Sequence, residues 1–133
     1  IHPRIKKEVG NRLVNLALKE QYWIQEIQPY HPKFKSITIK KNKVNISFTS
    51  AGKLTSKAKS PANFQLAGAD NQFYAAIAKI EKDGTVTLSS KEVKTPVNVR
   101  YCFTNDAMPD IFDVNGLPLL PFRTDNLEYK PWF

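Results

Sequence analysis

The sequence predicts a mainly β protein, an antiparallel β-sandwich-like module preceded by one amphipathic α-helix. Three observations carry this. Apolar residues near the start recur at helical spacing, the apolar period changes to two from Phe34 onward, and short alternating runs are then separated by turn signals. The 133 residues have room for one ordinary domain, or for a small domain with a piece of another. A hydrophobic content of 41%, with eight Phe, five Tyr and two Trp, is enough for a packed core and argues against disorder.

Residues from Pro3 to about Ile24 read as the helix. Ile5, Val9, Leu13, Leu16 and Ala17 form its apolar stripe, widened by Val14 and Leu18, and charged or amide side chains take the other side. Pro3 suits a first helical position because its missing N–H would have no intrahelical partner. His2 then falls at or near the N-cap, a placement that can hold an imidazole at the mouth of an active site. Gly10, costly inside a helix, suggests a close approach by another element. Gln28-Pro29-Tyr30-His31-Pro32 ends the helix, because two prolines force an extended path.

Ile37 and Ile39, then Val44, Ile46 and Phe48, alternate with polar residues around Lys41-Asn42, the pattern of a hairpin. Ala51 to Ala62 is polar and Lys-rich and reads as a loop or short turn structure. Phe64 to Ala67 starts a further strand. Phe73 to Ile80 and Thr85 to Ser89 flank Lys82-Asp83-Gly84, whose Asp-Gly pair suits a hairpin turn. Val97, Val99 and Tyr101 alternate as another strand, and the last thirty residues are turn-rich. Five or six short strands at regular spacing argue for an antiparallel sandwich or barrel-like module. There is no internal repeat, and no apolar run long enough for a transmembrane helix.

The net charge is +8 and the isoelectric point about 9.6. Between Ile27 and Ala69 there are eight Lys and no Asp or Glu. Such a field attracts nucleic acid, anionic glycans or a membrane surface, although Lys also decorates solvent faces and discourages edge pairing. Nucleic acid is disfavoured: aromatics are not interleaved with basic residues in a recognisable motif, and only four Arg are present.

Few residues here carry chemistry. No Gly stands directly before a Ser or two before one, so a nucleophile elbow is absent, and local motifs assemble no triad around His2. His2 and His31 lack ligand partners at metal spacing. Asp106, Asp110 and Asp113 depart from the EF-hand spacing, and turn capping is the commoner use of such Asp residues. Cys102, in a strand-like run, reads as a buried core thiol. Tyr22, Trp23, Tyr30, Phe73, Tyr74, Trp132 and Phe133 are candidates for a sugar-stacking platform, against the commoner core role of aromatics in a small β module.

Ile1-His2-Pro3-Arg4 followed by Val9-Gly10, Arg12-Leu13 and Leu16-Ala17-Leu18 resembles the final helix of the bacterial sialate O-acetylesterases, which are SGNH-type carbohydrate esterases. The resemblance continues through Phe64-Gln65-Leu66-Ala67-Gly68-Ala69-Asp70, Phe73-Tyr74-Ala75-Ala76, Val99-Arg100-Tyr101, Gly116-Leu117-Pro118 and Pro121-Phe122-Arg123-Thr124-Asp125. It implies a serine-type hydrolase that removes O-acetyl groups from sialic acid or related glycans, secreted or periplasmic, with no cofactor and no metal. It maps the catalytic base onto His2, while the nucleophile and oxyanion donors of that family have no counterpart in this sequence. The expectation is therefore a C-terminal portion that is inactive by itself. Residues 1–28 would be the last helix of a truncated SGNH α/β catalytic domain, 29–33 a linker and 34–133 a C-terminal β-sandwich module. The partner expected is acetylated sialic acid or another glycan, met by the full-length enzyme, with no nucleic acid and no membrane. The exposed helix stripe adds a homodimer through that face as an alternative to packing on the β module. The rival reading is a stand-alone glycan-binding or interaction β module.

Overall fold

A computed structural model describes residues 5–49 and 52–128. One helix, α1 (Lys6–Glu20), precedes ten strands: β1 (Lys33–Lys40), β2 (Lys43–Thr49), β3 (Thr55–Ser56), β4 (Phe64–Ala67), β5 (Phe73–Ala75), β6 (Ile77–Ile80), β7 (Val86–Ser89), β8 (Asn98–Tyr101), β9 (Ile111–Phe112) and β10 (Phe122–Arg123). All pairings are antiparallel. One sheet runs β1-β2-β7-β6, a second β10-β8-β4-β5, and β3 pairs with β9 in a small third. The chain is a β-sandwich-like module preceded by one helix.

Alternation builds the core. Val44 and Ile46 on β2, Val86 and Leu88 on β7, and Ala78 on β6 point inward from the first sheet. Phe64 and Leu66 on β4, with Val99 and Tyr101 on β8, meet them from the second. Aromatic rings tie the two sheets at one end. Phe34 of β1 stacks on Phe122 of β10 at 4.9 Å and Phe48 of β2 meets Phe122 at 6.3 Å, while Phe64 lies against Tyr101 at 4.5 Å within the second sheet. Such contacts add about 0.5–1.5 kcal/mol each beyond area burial. The Tyr101 hydroxyl accepts from the Asp110 and Ile111 amides at 3.2 and 3.4 Å and donates to an Asp110 carboxylate oxygen at 3.3 Å. It pins the start of β9 to the second sheet, and its burial pushes the phenol well above its usual range.

Both predicted hairpins form. Lys40 pairs with Lys43 across a two-residue turn in which Lys41 takes φ 56°. Between β6 and β7, Asp83 accepts from the Thr85 amide and hydroxyl at 3.0 and 2.8 Å, and Gly84 adopts φ 81°. A Cβ on Gly84 would sit 2.7 Å from the Gly52 carbonyl oxygen, so this position needs glycine for space as well as for conformation.

Several expected boundaries shift. The described helix begins at Lys6 with Ile5 as its N-cap, because Ile5 leaves the helical region (φ −100°, ψ 68°); Pro3 and His2, where its start was expected, lie outside the described residues. It stops at Glu20, four residues early, where the chain folds back: the Ile24 amide reaches the Leu18 carbonyl at 3.1 Å and Trp23 takes φ 53°. A Cβ on Gly10 would meet nothing within 4 Å, so no close approach among the described residues explains this glycine. The run Phe73–Ile80 is two strands, β5 in the second sheet and β6 in the first, with Ala76 as the crossing point and its amide on the Phe64 carbonyl at 2.9 Å. Val97 is exposed, although its amide donates to the Ala67 carbonyl at 2.8 Å, and the β8 strand runs from Asn98. The segment read as a loop from 51 to 62 contains β3 and the buried Leu54.

Candidate functional site

His2, the one residue expected to act in catalysis, lies outside the described residues, as do Trp132 and Phe133. The element that follows it is described and is unusual. No residue of α1 is buried. Ile5 is 63% exposed and Leu13 64%, with Val9, Val14 and Leu16 also exposed. Just beyond, Tyr22 and Trp23 are 72% and 75% exposed. The stripe expected to face a partner is present at helical spacing and faces solvent. Glu8 in the first turn and Lys19 in the last complement the helix dipole, and an Arg12–Glu8 pair at 3.3 Å spans one turn. These surface contacts contribute only tenths of a kcal/mol, so an isolated helix of fifteen residues is marginal in water. A face of this kind marks an interaction surface.

The remaining candidates have structural roles. His31 holds the Pro118 carbonyl through Nδ1 at 2.9 Å, fastening the segment after the helix to the loop before β10. Among the described residues no serine hydroxyl or cysteine thiol is hydrogen-bonded to a histidine, so no nucleophile–base pair is assembled there. Asp106, Asp110 and Asp113 do not converge. Asp106 takes the Thr104 hydroxyl at 2.9 Å, Asp110 the Ala62 amide at 2.6 Å, and Asp113 the Asn115 and Leu117 amides at 2.9 and 2.8 Å. Asp106 and Asp113 each organise a turn, whereas Asp110 ties the segment before β4 and the Tyr101 hydroxyl to the entry of β9. Among the described residues, no group of three His, Cys, Asp or Glu gathers as metal ligands, and no helix is long and apolar enough to cross a membrane. Cys102 is buried and burial raises its thiol pKa, the opposite of what a nucleophile needs.

Of the aromatic candidates for sugar stacking, Phe73 is already covered. The Arg100 guanidinium lies 3.8 Å from its centroid and 4.9 Å from that of Phe103. Arg100 also makes a bidentate pair with Asp125, Nε to Oδ2 at 2.8 Å and an Nη to Oδ1 at 2.9 Å. Arg123 stands 3.6 Å from the same carboxylate and donates to the Leu127 carbonyl at 2.8 Å. The Asp125 side chain is 1% exposed, and Arg100 holds its carboxyl below the usual range. This cluster ties the segment after β10 to the outer face of the second sheet. Sequence spacing alone does not bring Arg100 and Asp125 together. An Arg and an Asp on alternating positions twenty-five residues apart carry no local signal of pairing.

Neither a protein-family model nor a curated protein sequence matches the chain. A solved structure does. The chain is similar to part of a carbohydrate acetylesterase from Xanthomonas citri. Identity is 33% and the TM-score 0.84, over 95% of this chain and 29% of that one. The chain therefore spans under a third of the length of the enzyme it resembles. A match over 95% leaves too few residues aside to omit a helix of fifteen, so α1 belongs to the shared portion. The relationship is to a carbohydrate esterase, and it includes both the helix and the sandwich.

Proposed function

We propose that this chain is the C-terminal part of a serine-type carbohydrate esterase of the sialate O-acetylesterase kind, an SGNH hydrolase that removes O-acetyl groups from sialic acid or a related glycan. The observation that carries the proposal is the match, at 33% identity, of helix and sandwich together to a carbohydrate acetylesterase. In this reading residues 1–28 belong to the α/β catalytic domain, 29–33 link, and 34–133 form the accessory sandwich. The exposed stripe of α1 supports it: Ile5, Val9, Leu13 and Leu16 form the face that a catalytic sheet would cover. More than two thirds of the matched enzyme lies outside the shared portion, ample chain to supply that cover. The proposed compartment is extracellular or periplasmic, where such glycans are met.

His2 is the proposed catalytic base. It takes the proton of a serine hydroxyl as that oxygen attacks the acetyl carbonyl, then hands the proton to the departing sugar alkoxide. Water, activated by the same imidazole, cleaves the acetyl-enzyme to acetate and regenerates the serine. Serine and oxyanion donors come from outside this chain in this account. The purified 133-residue chain is therefore expected to hydrolyse p-nitrophenyl acetate no faster than its His2→Ala variant. Turnover that disappears on that substitution contradicts the assignment of the nucleophile to another segment.

A further inference from the structure

The first sheet turns a polar face outward. Thr38, Lys40, Lys43, Asn45, Thr87 and Lys79 occupy positions that alternate with the buried Val44, Ile46, Val86, Leu88 and Ala78. Three depressions of about 420, 600 and 480 Å³ adjoin along this face and the loop before β4. The first and second share Lys79, Glu81 and Lys82, and the second and third share Asn45 and Glu81, so they form one continuous groove. Six lysines line it: Lys40 and Lys43 at one end, Lys79 and Lys82 in the middle, Lys53 and Lys59 at the other. The two carboxylates in its wall are already engaged, Glu81 by Lys79 at 2.9 Å and Asp83 by the Thr85 amide and hydroxyl. The charge excess seen in the sequence is thus partly concentrated along one track.

We propose that this groove binds an anionic glycan chain, a polysaccharide bearing carboxylates along its length. The track is extended, cationic and rimmed by hydroxyl and amide side chains, with the Asn45 amide anchored on Thr85 and Thr87 at 2.9 and 3.3 Å. Its chemistry selects among polyanions. Among the described residues no aromatic side chain lines it, so they offer no platform on which unpaired bases stack. Among the described residues no arginine lines it either, so they do not supply the bidentate fork suited to phosphate. Lysine ammonium groups are compact charges that suit carboxylates dispersed along a hydroxylated chain. The missing aromatic platform equally disfavours neutral glycans. This binding does not depend on the esterase reading, since the groove is complete within the chain.

The test uses the 133-residue chain in affinity electrophoresis and calorimetry with polygalacturonate, neutral galactan and single-stranded oligothymidylate, at low and high salt. Polygalacturonate is expected to bind tightest, with affinity falling steeply as salt rises. Lys40→Gln/Lys43→Gln/Lys82→Gln is expected to weaken it by about tenfold or more, because close charges dominate a screened interaction. Lys33→Gln/Lys91→Gln/Lys94→Gln, which removes the same charge outside the groove, is expected to leave the affinity within about twofold. Equal weakening by the two triples overturns the groove assignment. Tighter binding of oligothymidylate, equal binding of galactan, or no binding of polygalacturonate at low salt overturns the ligand class.

Discussion

Arg100→Ala is expected to destabilise the sandwich by about 3–5 kcal/mol at neutral pH, the cost of leaving a buried carboxylate without its partner. Asp125 is almost wholly enclosed and receives two charge-assisted bonds from Arg100. Arg123, 3.6 Å away, is already spent in part on the Leu127 carbonyl. Its reorientation sets the loss toward the lower end of that range. The pH dependence separates charge from packing. The Asp125 carboxyl is held below its unfolded value of 3.8, chiefly by Arg100. A group with a depressed folded pKa contributes stability that is present above its unfolded pKa and lost as pH falls through the folded one. The deficit of Arg100→Ala should therefore shrink as pH drops below about 4, where the wild-type protein begins to lose the pair as well. Urea unfolding at several pH values reads this directly. A deficit constant from pH 7 to pH 3 would assign the loss to the stacking of Arg100 on Phe73 and Phe103 rather than to the ion pair.

Tyr101→Ala should cost about 4 kcal/mol, the cost of removing a large ring from a packed core. That is a large share of the 5–15 kcal/mol typical of a domain. The ring contacts Phe64 and Phe122, and its hydroxyl serves two amides and a carboxylate at the entry to β9. Tyr101→Phe separates these parts. It keeps the ring and leaves the Asp110 and Ile111 amides short of an acceptor, and should cost about 1–3 kcal/mol. A Tyr101→Phe variant as stable as the wild-type protein in urea would show that the pinning of β9 contributes nothing net.

What the sequence disclosed follows from which forces are local. The two hairpins were readable because their turns are two residues or nearly so, and because strict alternation ran through Ile37 to Phe48 and Val86 to Leu88. The division of Phe73–Ile80 was not, since nothing in Tyr74-Ala75-Ala76-Ile77 interrupts a strand pattern. There the decision belongs to which sheet each half joins, β5 pairing with β4 and β6 with β7, and nothing within the run marks where one partner gives way to the other. β3 and β9, two residues each, are too short to show any period. Val97 fits the alternation of Val99 and Tyr101, yet at the end of the strand its side chain lies in solvent while theirs are buried.

The functional features divide in the same way. The apolar stripe of α1 was legible from spacing alone, and its exposure matches a face awaiting cover. The high lysine content between Ile27 and Ala69 was visible, but its alignment with Lys79 and Lys82 needed the sheet order that sets β6 beside β7. The Arg100–Asp125 pair required the register of β8 against β10. His2 rests on sequence: the helix after it starts at Lys6, and the match to an acetylesterase runs through that helix.

We propose that this chain supplies the catalytic base and the sandwich of a carbohydrate esterase. This is tested most directly by replacing the matched portion of the Xanthomonas citri acetylesterase with this chain and measuring acetate release, with circular dichroism confirming that each protein is folded. The account predicts an active chimera whose His2→Ala variant loses at least about a thousandfold in kcat, as removal of a catalytic base does. A folded chimera whose activity survives His2→Ala undiminished would contradict it.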